Sequence, residues 1–493
     1  MKQLLYIDLF CGAGGTTTGV ELARVHGRKC AKVIACVNHD ANAIRSHQAN
    51  HPDTLHFTED IRTLDTKPLV EHLAKMQRKY PDSLTVLWAS LECTNFSRAK
   101  GGKPRNADSR TLAEHLYRYI DALSPDYIQI ENVEEFMCWG DIDENGKPIS
   151  KDKGSSYIKW CNTILRKGYS FKHRILNSAD YGAYTSRKRY FGQFAKHGLP
   201  HSFPLPTHAK NAVTDGGLFA YKLAQWKPVR EVLELNDEGE SIFDRQKPLC
   251  DKTLERIYAG LVKFVAGGKE AFLVKYNSMN KNGLYNAPGI DEPCPTVAVQ
   301  NRLGIAKVNF LSKQFSGAPQ GKNISVEQPA GAITCKDHHA FITAYYGNGY
   351  NQSLNAPSPV LTTVDRLAIV NTKFLMNPQF ESKGGSIEQP CFTLIARMDK
   401  MPPYLVTTEI GKTAIVIYRD DSAQMRKIKE FMAIYGIVDI KMRMLKVNEL
   451  KRIMGFPTDY VLYGTQSEQK KFIGNAVEVN ISRKLCEALC EVN

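Results

Sequence analysis

Between residue 4 and about residue 200, apolar runs of strand length alternate with amphipathic stretches of helix length, and this alternation limits the folds open to the chain. Leu4–Phe10, Lys32–Val37, Thr85–Ala89 and Tyr127–Ile130 are rich in β-branched and aromatic residues and read as strands. Gly19–Val25, Leu69–Lys79 and Leu112–Leu123 carry apolar residues at helical spacing. Strands separated by helices cannot pair as hairpins, so the pattern predicts an α/β fold with a mainly parallel sheet and helices on both faces. Ligands of such sheets bind beyond the carboxyl ends of the strands. Three polar segments fall there: Phe10–Gly15, the stretch around Cys93, and Glu131–Val133.

The pattern breaks after Pro200, where proline, glycine and asparagine become frequent. From about 272 to 406 a degenerate repeat appears, with anchor prolines Pro293, Pro329, Pro357 and Pro390. Short β-branched runs between proline turns predict a smaller, mostly β or irregular region. Similar turns in an ordinary β-rich domain would read the same way. Helical pattern returns at Val447–Met454 and Ile481–Glu491, and Phe472–Val477 between them reads as a tight polar turn.

The chain of 493 residues carries a formal charge of +14, which suits a polyanionic partner such as nucleic acid as well as it suits a merely basic soluble protein. No apolar stretch reaches the ~18 residues of a spanning helix. The N-terminus enters a strand at once without a signal-peptide layout, so the chain is expected to stay where it is made. Twelve cysteines include no C-x-x-C pair, which argues for free thiols and no structural metal. Cys486 and Cys490 are expected to pack as small apolar residues.

Taken singly, the polar segments are ambiguous. The glycines of Phe10-Cys11-Gly12-Ala13-Gly14-Gly15 allow a sharp turn and close approach of a ligand, but serve a structural turn equally well. Cys93 is a candidate nucleophile or a buried thiol. Glu131 and Asn132 could supply an acid or cap a helix. Arg187, Lys188 and Arg189 could bind an anion or form a solvated charge run.

Together and in this order, the segments resemble those of the S-adenosylmethionine-dependent DNA (cytosine-5)-methyltransferases. Asp8–Gly15 resembles the family's cofactor loop, Cys93–Ser97 its nucleophile loop and Glu131-Asn132-Val133 its acid tripeptide. Ala179–Gly182 through Arg187–Arg189 resembles its arginine segment, and Glu449–Pro457 with Gly474–Val477 its closing motifs. The resemblance implies a Rossmann-like methyltransferase sheet with a target-recognition domain inserted before the closing motifs. The expected layout is a catalytic, cofactor-binding domain over 1–205, target recognition over 206–458, and a return to the catalytic domain over 459–493.

It further implies Cys93, Glu131, Arg187 and Arg189 as catalytic residues. Phe10, Gly12, Gly14, Gly15, Asn38, Asp60, Ile61, Asn475 and Ala476 would surround the cofactor, S-adenosyl-L-methionine. No metal is expected. The implied partner is double-stranded DNA, with no membrane and a monomeric chain. A cognate restriction endonuclease would be a functional companion, in the cytoplasm of a bacterial or phage-infected cell.

Three positions depart from the family's pattern. Glu92 stands where a proline precedes the nucleophile, and a carboxylate there would raise the thiol's pKa. Thr185 stands where the arginine segment begins with glutamine. Asn38 stands where an acidic residue meets the cofactor ribose, with Asp40 a possible substitute. An RNA-directed enzyme of the same chemistry and an inactive DNA-binding relative are the alternatives. The glycine spacing fits a nicotinamide-dependent oxidoreductase poorly.

Overall fold

The computed structural model describes residues 2–91, 112–141, 149–150, 153–212, 223–262 without 235 and 238, and 415–493 without 436 and 438. Between 263 and 414 it describes isolated strands. The repeat prolines Pro293, Pro329, Pro357 and Pro390 lie outside the described residues. The chain divides into two compact units, one of residues 1–226, 393–396 and 450–493, the other of 227–392 and 397–449.

The first unit is built on a seven-stranded sheet. In chain order its elements are β1 (Leu4–Leu9), α1 (Gly15–Leu22), β2 (Ala31–Val37), α2 (Ala41–Asn50), β3 (Leu55–Phe57), α3 (Lys67–Lys79), β4 (Leu84–Ser90), α4 (Leu116–Leu123), β5 (Tyr127–Asn132), α5 (Ser155–Leu165), β6 (Tyr169–Asn177) and β7 (Lys188–Lys196). The strand order is β3-β2-β1-β4-β5-β7-β6. The first five strands run parallel, and β7 is antiparallel to both its neighbours.

Every residue of β1 is buried, as expected for a central strand covered on both faces. Its alternation sorts the core. Leu5, Ile7 and Leu9 join Leu69, Leu73, Leu116, Ile120, Trp160 and Ile164 from α3, α4 and α5. Leu4 and Tyr6 join Val20 of α1 on the other face, with Ile481, Leu485 and Leu489 of a later helix. The expected parallel sheet with helices on both faces is therefore observed.

The second unit holds α6 (Asp251–Gly260) and a largely antiparallel sheet. Its main strands are β8 (Ala271–Lys275), β9 (Leu303–Lys307), β10 (Lys373–Asn377) and β11 (Tyr404–Glu409). α7 (Ala423–Tyr435) packs Phe431 edge-on against Tyr258 of α6, and β12 (Asp439–Met444) completes the sheet. The fully buried Glu449 carboxylate takes Arg443 at 2.9 Å.

Helix α8 (Val447–Ile453) leads back to the first unit, followed by α9 (Gln466–Asn475) and α10 (Val479–Glu491). Here the structure corrects the reading of Phe472–Val477 as a turn. Phe472 to Asn475 form the last turn of α9, whose start is fixed by a reciprocal cap between Thr465 and Glu468. Helix α1 likewise begins at Gly15 and ends at Leu22, not at Gly19 and Val25. Its Gly-Thr-Thr-Thr-Gly start is a poor helix former, so packing imposes the helix.

Candidate active site

The chain leaves β1 toward β2 and β3 on one side, then crosses back to β4 on the other. The break in strand order between β1 and β4 is a topological switch point, where sheets of this kind bind ligands beyond the carboxyl ends of their strands. The loop after β1 lies there. Phe10 (φ 59°), Gly12 (φ 53°) and Gly14 (φ 98°) take left-handed conformations, an uncommon one for a phenylalanine. Among the described residues, a Cβ on Gly12 would meet nothing within 4 Å, so the loop has an open side toward them there.

The other side of this loop is closed. A Cβ on Gly15 would lie 2.4 Å from the Val477 carbonyl and 3.0 Å from Ala476 Cβ. Tyr460 Oη donates to the Ala13 carbonyl. The structure thus brings Gly15 against Ala476 and Gly14 against Tyr460 and His47, while Asn475 is exposed beside Ala476.

Asn38 follows β2, and its Oδ1 accepts from the Asp40 N–H at 2.9 Å. Asp40 is committed elsewhere. It caps α2 through the Asn42 and Ala43 N–H groups and lies 3.7 Å from Lys471 Nζ. Asp60 follows β3, and Arg62 grips its carboxylate at 2.6 Å, holding it down at about 2. Ile61 is buried, and its carbonyl accepts from Tyr119 Oη at 2.8 Å.

Glu131 and Asn132 end β5, and the following short helix is capped by Val133, so the helix-cap reading of this pair does not hold. Glu131 pairs in register with Ser90 of β4 and Phe191 of β7. It is 5% exposed, and its carboxylate lies 3.4 Å from Arg189 Nε. Burial raises its pKa, against the pull of Arg187 and Arg189. Arg187 and Arg189 are 3% and 9% exposed while Lys188 between them faces solvent, which excludes a solvated charge run.

Arg187 Nη1 donates to the Gly474 carbonyl at 3.1 Å, tying the arginine segment to the end of α9. It also faces Glu478, a fully buried carboxyl that caps α10 by accepting from the Ile481 N–H at 2.9 Å. Burial pushes Glu478 up to about 7, against hydrogen bonds from Asn480 and Ile481 and the charge of Arg187. The charge of Arg187 thus acts on two buried carboxyls, Glu131 and Glu478. The sequence reading missed Glu478; its signal was an acidic residue just before an apolar-periodic helix.

Cys93 and Glu92 lie outside the described residues. The described chain reaches Leu91, whose carbonyl accepts from Asn132 Nδ2 at 3.5 Å. The last described residue before Cys93 therefore lies beside the acid tripeptide. Among the described residues, no helix is long and apolar enough to cross a membrane.

The family model for C-5 cytosine-specific DNA methylases matches residues 4–244 and 355–491. Type II methyltransferase M1.HphI of Haemophilus parahaemolyticus is 28% identical over 216 residues, 43% of this chain and 52% of that protein. Type II methyltransferase M.AquIA of Picosynechococcus is 27% identical over 232 residues, 46% of this chain and 86% of that protein. M.AgeI of Thalassovita gelatinovora is 27% identical over 203 residues, 41% of this chain and 42% of that protein. The alignments thus span about half of the first relative and less than half of the third. With a family model matched over most of its length and a glycine loop, acid strand end and arginine segment gathered on one sheet edge, the chain belongs to the C-5 cytosine-specific DNA methylase family.

Proposed function

We propose that this chain methylates C5 of cytosine in a specific duplex DNA sequence, with S-adenosyl-L-methionine as methyl donor. The observation that carries this reading is the buried meeting of Glu131 with Arg187 and Arg189 beside the strand that leads to Cys93. Cytosine C5 is a weak nucleophile. Thiolate addition at C6 would make the ring an enamine able to take a methyl group at C5. Cys93 would supply the thiolate. Glu131, its proton affinity raised by burial, would hold a proton at N3 as charge builds there. Arg189 would set the Glu131 carboxyl and offer donors toward O2. A base would then remove the C5 proton, and the C6–sulfur bond would break to restore the thiolate. Because the target is stacked in a duplex, the base must be flipped out to reach these groups.

The cofactor supplies an electrophilic methyl sulfonium when bound. The open side of Gly12 suits close approach of such a ligand to the main chain. Phe10, Gly14, Gly15, Ile61, Asn475 and Ala476 would line its site, and Asp60 would lie near it. Asn38 would face the ribose, since Asp40 is occupied in capping α2. The second unit would read the target sequence, and the protein would act as a monomer in the cytoplasm beside a cognate restriction endonuclease.

Cys93→Ala is expected to abolish methyl transfer, read by bisulfite sequencing of DNA from expressing cells, while DNA binding persists. Wild-type methylation by that variant would refute the covalent route.

A further inference from the structure

Beneath the glycine loop, side chains from four separate segments turn toward one another. Cys11 comes from the loop, Cys36 from β2, His47 from α2 and His56 from β3. The ligand atoms of Cys11, Cys36 and His47 all lie within 4.8 Å of one another, and the three residues are buried. Cys36 Sγ is 3.7 Å from His47 Nδ1, and His56 Nε2 is 2.9 Å from that same nitrogen.

The hydrogen bonds on the far side of His47 set its tautomer. His47 Nε2 lies 2.9 Å from Thr17 Oγ1, which donates at 2.9 Å to the buried Asp8 carboxylate. A hydroxyl has one proton, and this one is given to Asp8. Thr17 therefore accepts from Nε2–H, and Nδ1 presents a bare lone pair to the two sulfurs and to His56. A histidine held through its outer nitrogen by a chain ending in a carboxylate is the arrangement that orients metal-binding imidazoles.

We propose that Cys11, Cys36, His47 and His56 form a tetrahedral site for a thiolate-accepting divalent cation of the zinc class. With bond lengths of ~2.3 Å to sulfur and ~2.0 Å to nitrogen, tetrahedral edges come to about 3.3 Å between nitrogens and about 3.5 Å between sulfur and nitrogen. The observed 3.7 Å between Cys36 and His47 is close to the second edge, while the 2.9 Å between the imidazole nitrogens is a hydrogen bond that an ion would replace and lengthen. Two thiolates neutralise a dication, so the occupied site would bury no net charge. The ion would fasten the glycine loop to β2, α2 and β3. Spacing could not reveal the set, because its ligands are scattered over 46 positions, from 11 to 56, with no paired motif.

A second cluster, Cys30, Cys486 and Cys490, also holds its sulfurs within 4.8 Å. It offers three thiols and no histidine, and serves as the control. The test uses full-length protein purified without a metal-affinity tag. Elemental analysis of the wild type is expected to find one equivalent of zinc. Replacement by cobalt(II) should give the intense visible bands of tetrahedral coordination with thiolate charge transfer. Cys36→Ser and the half-buried His56→Gln should each abolish the bands, and Cys486→Ser should leave them intact. A wild type with neither zinc nor tetrahedral cobalt bands would overturn the proposal. So would bands that survive both substitutions and vanish in Cys486→Ser.

Discussion

Glu478 is the residue whose environment speaks most directly to experiment. Its pKa is raised to about 7 from an ordinary 4.5, so the folded protein keeps a proton that the unfolded chain releases. Stability from this group is present below pH 4.5, falls as pH rises between 4.5 and 7, and is gone above. The span is about 3 kcal/mol at most. Glu478→Gln should flatten that slope in urea unfolding measured across the window; an unchanged slope would show that another group titrates. At this scale the sequence disclosed chemical types well and surroundings poorly. Arg187 and Arg189 were legible as a pair, but only strand pairing of β7 with β5 shows that they turn inward onto Glu131. Asp40 was legible as an acid near the ribose position; its capping of α2 depends on a helix whose polar sequence gives little apolar period.

Among elements, the crossing of α1 and α10 sets how closely the glycine loop meets the closing segment. A Cβ on Gly19 would lie 2.0 Å from Ser482 Oγ and 2.5 Å from the Val479 carbonyl. The second contact is backbone and cannot swing aside. Gly19→Ala should therefore destabilise the protein by about 1–3 kcal/mol, despite the higher helix propensity of alanine. Chemical denaturation reads this directly, and a variant as stable as the wild type would mean that the helices can separate without cost. The central strands were legible within a residue or two because burial on both faces writes a continuous apolar run. Helix α1 was misplaced because its threonines and glycines obey packing against α10 and not propensity. Helix α9 was overlooked although Thr465-Gln466-Ser467-Glu468 spells a capping box, since its apolar pattern is weak.

For the whole molecule, the charge of +14 bears on duplex binding. If six or more phosphates are met by lysine and arginine, affinity for DNA should fall about a thousandfold or more between 50 and 200 mM salt. Fluorescence anisotropy on a labelled duplex measures this, and an affinity indifferent to salt would show that the basic charge does not engage the phosphates. The division into two units, with the first resumed by residues 450–493, has a further bearing. Gly15 rests on Val477, and Ala13 accepts from Tyr460, so the loop after β1 is completed by residues that follow it by 447 positions or more. A nascent chain halted before residue 460 would carry the entire parallel sheet and still lack the closed side of its glycine loop. Competence to bind ligand would therefore wait on the emergence of Tyr460 and Val477, and arrive abruptly.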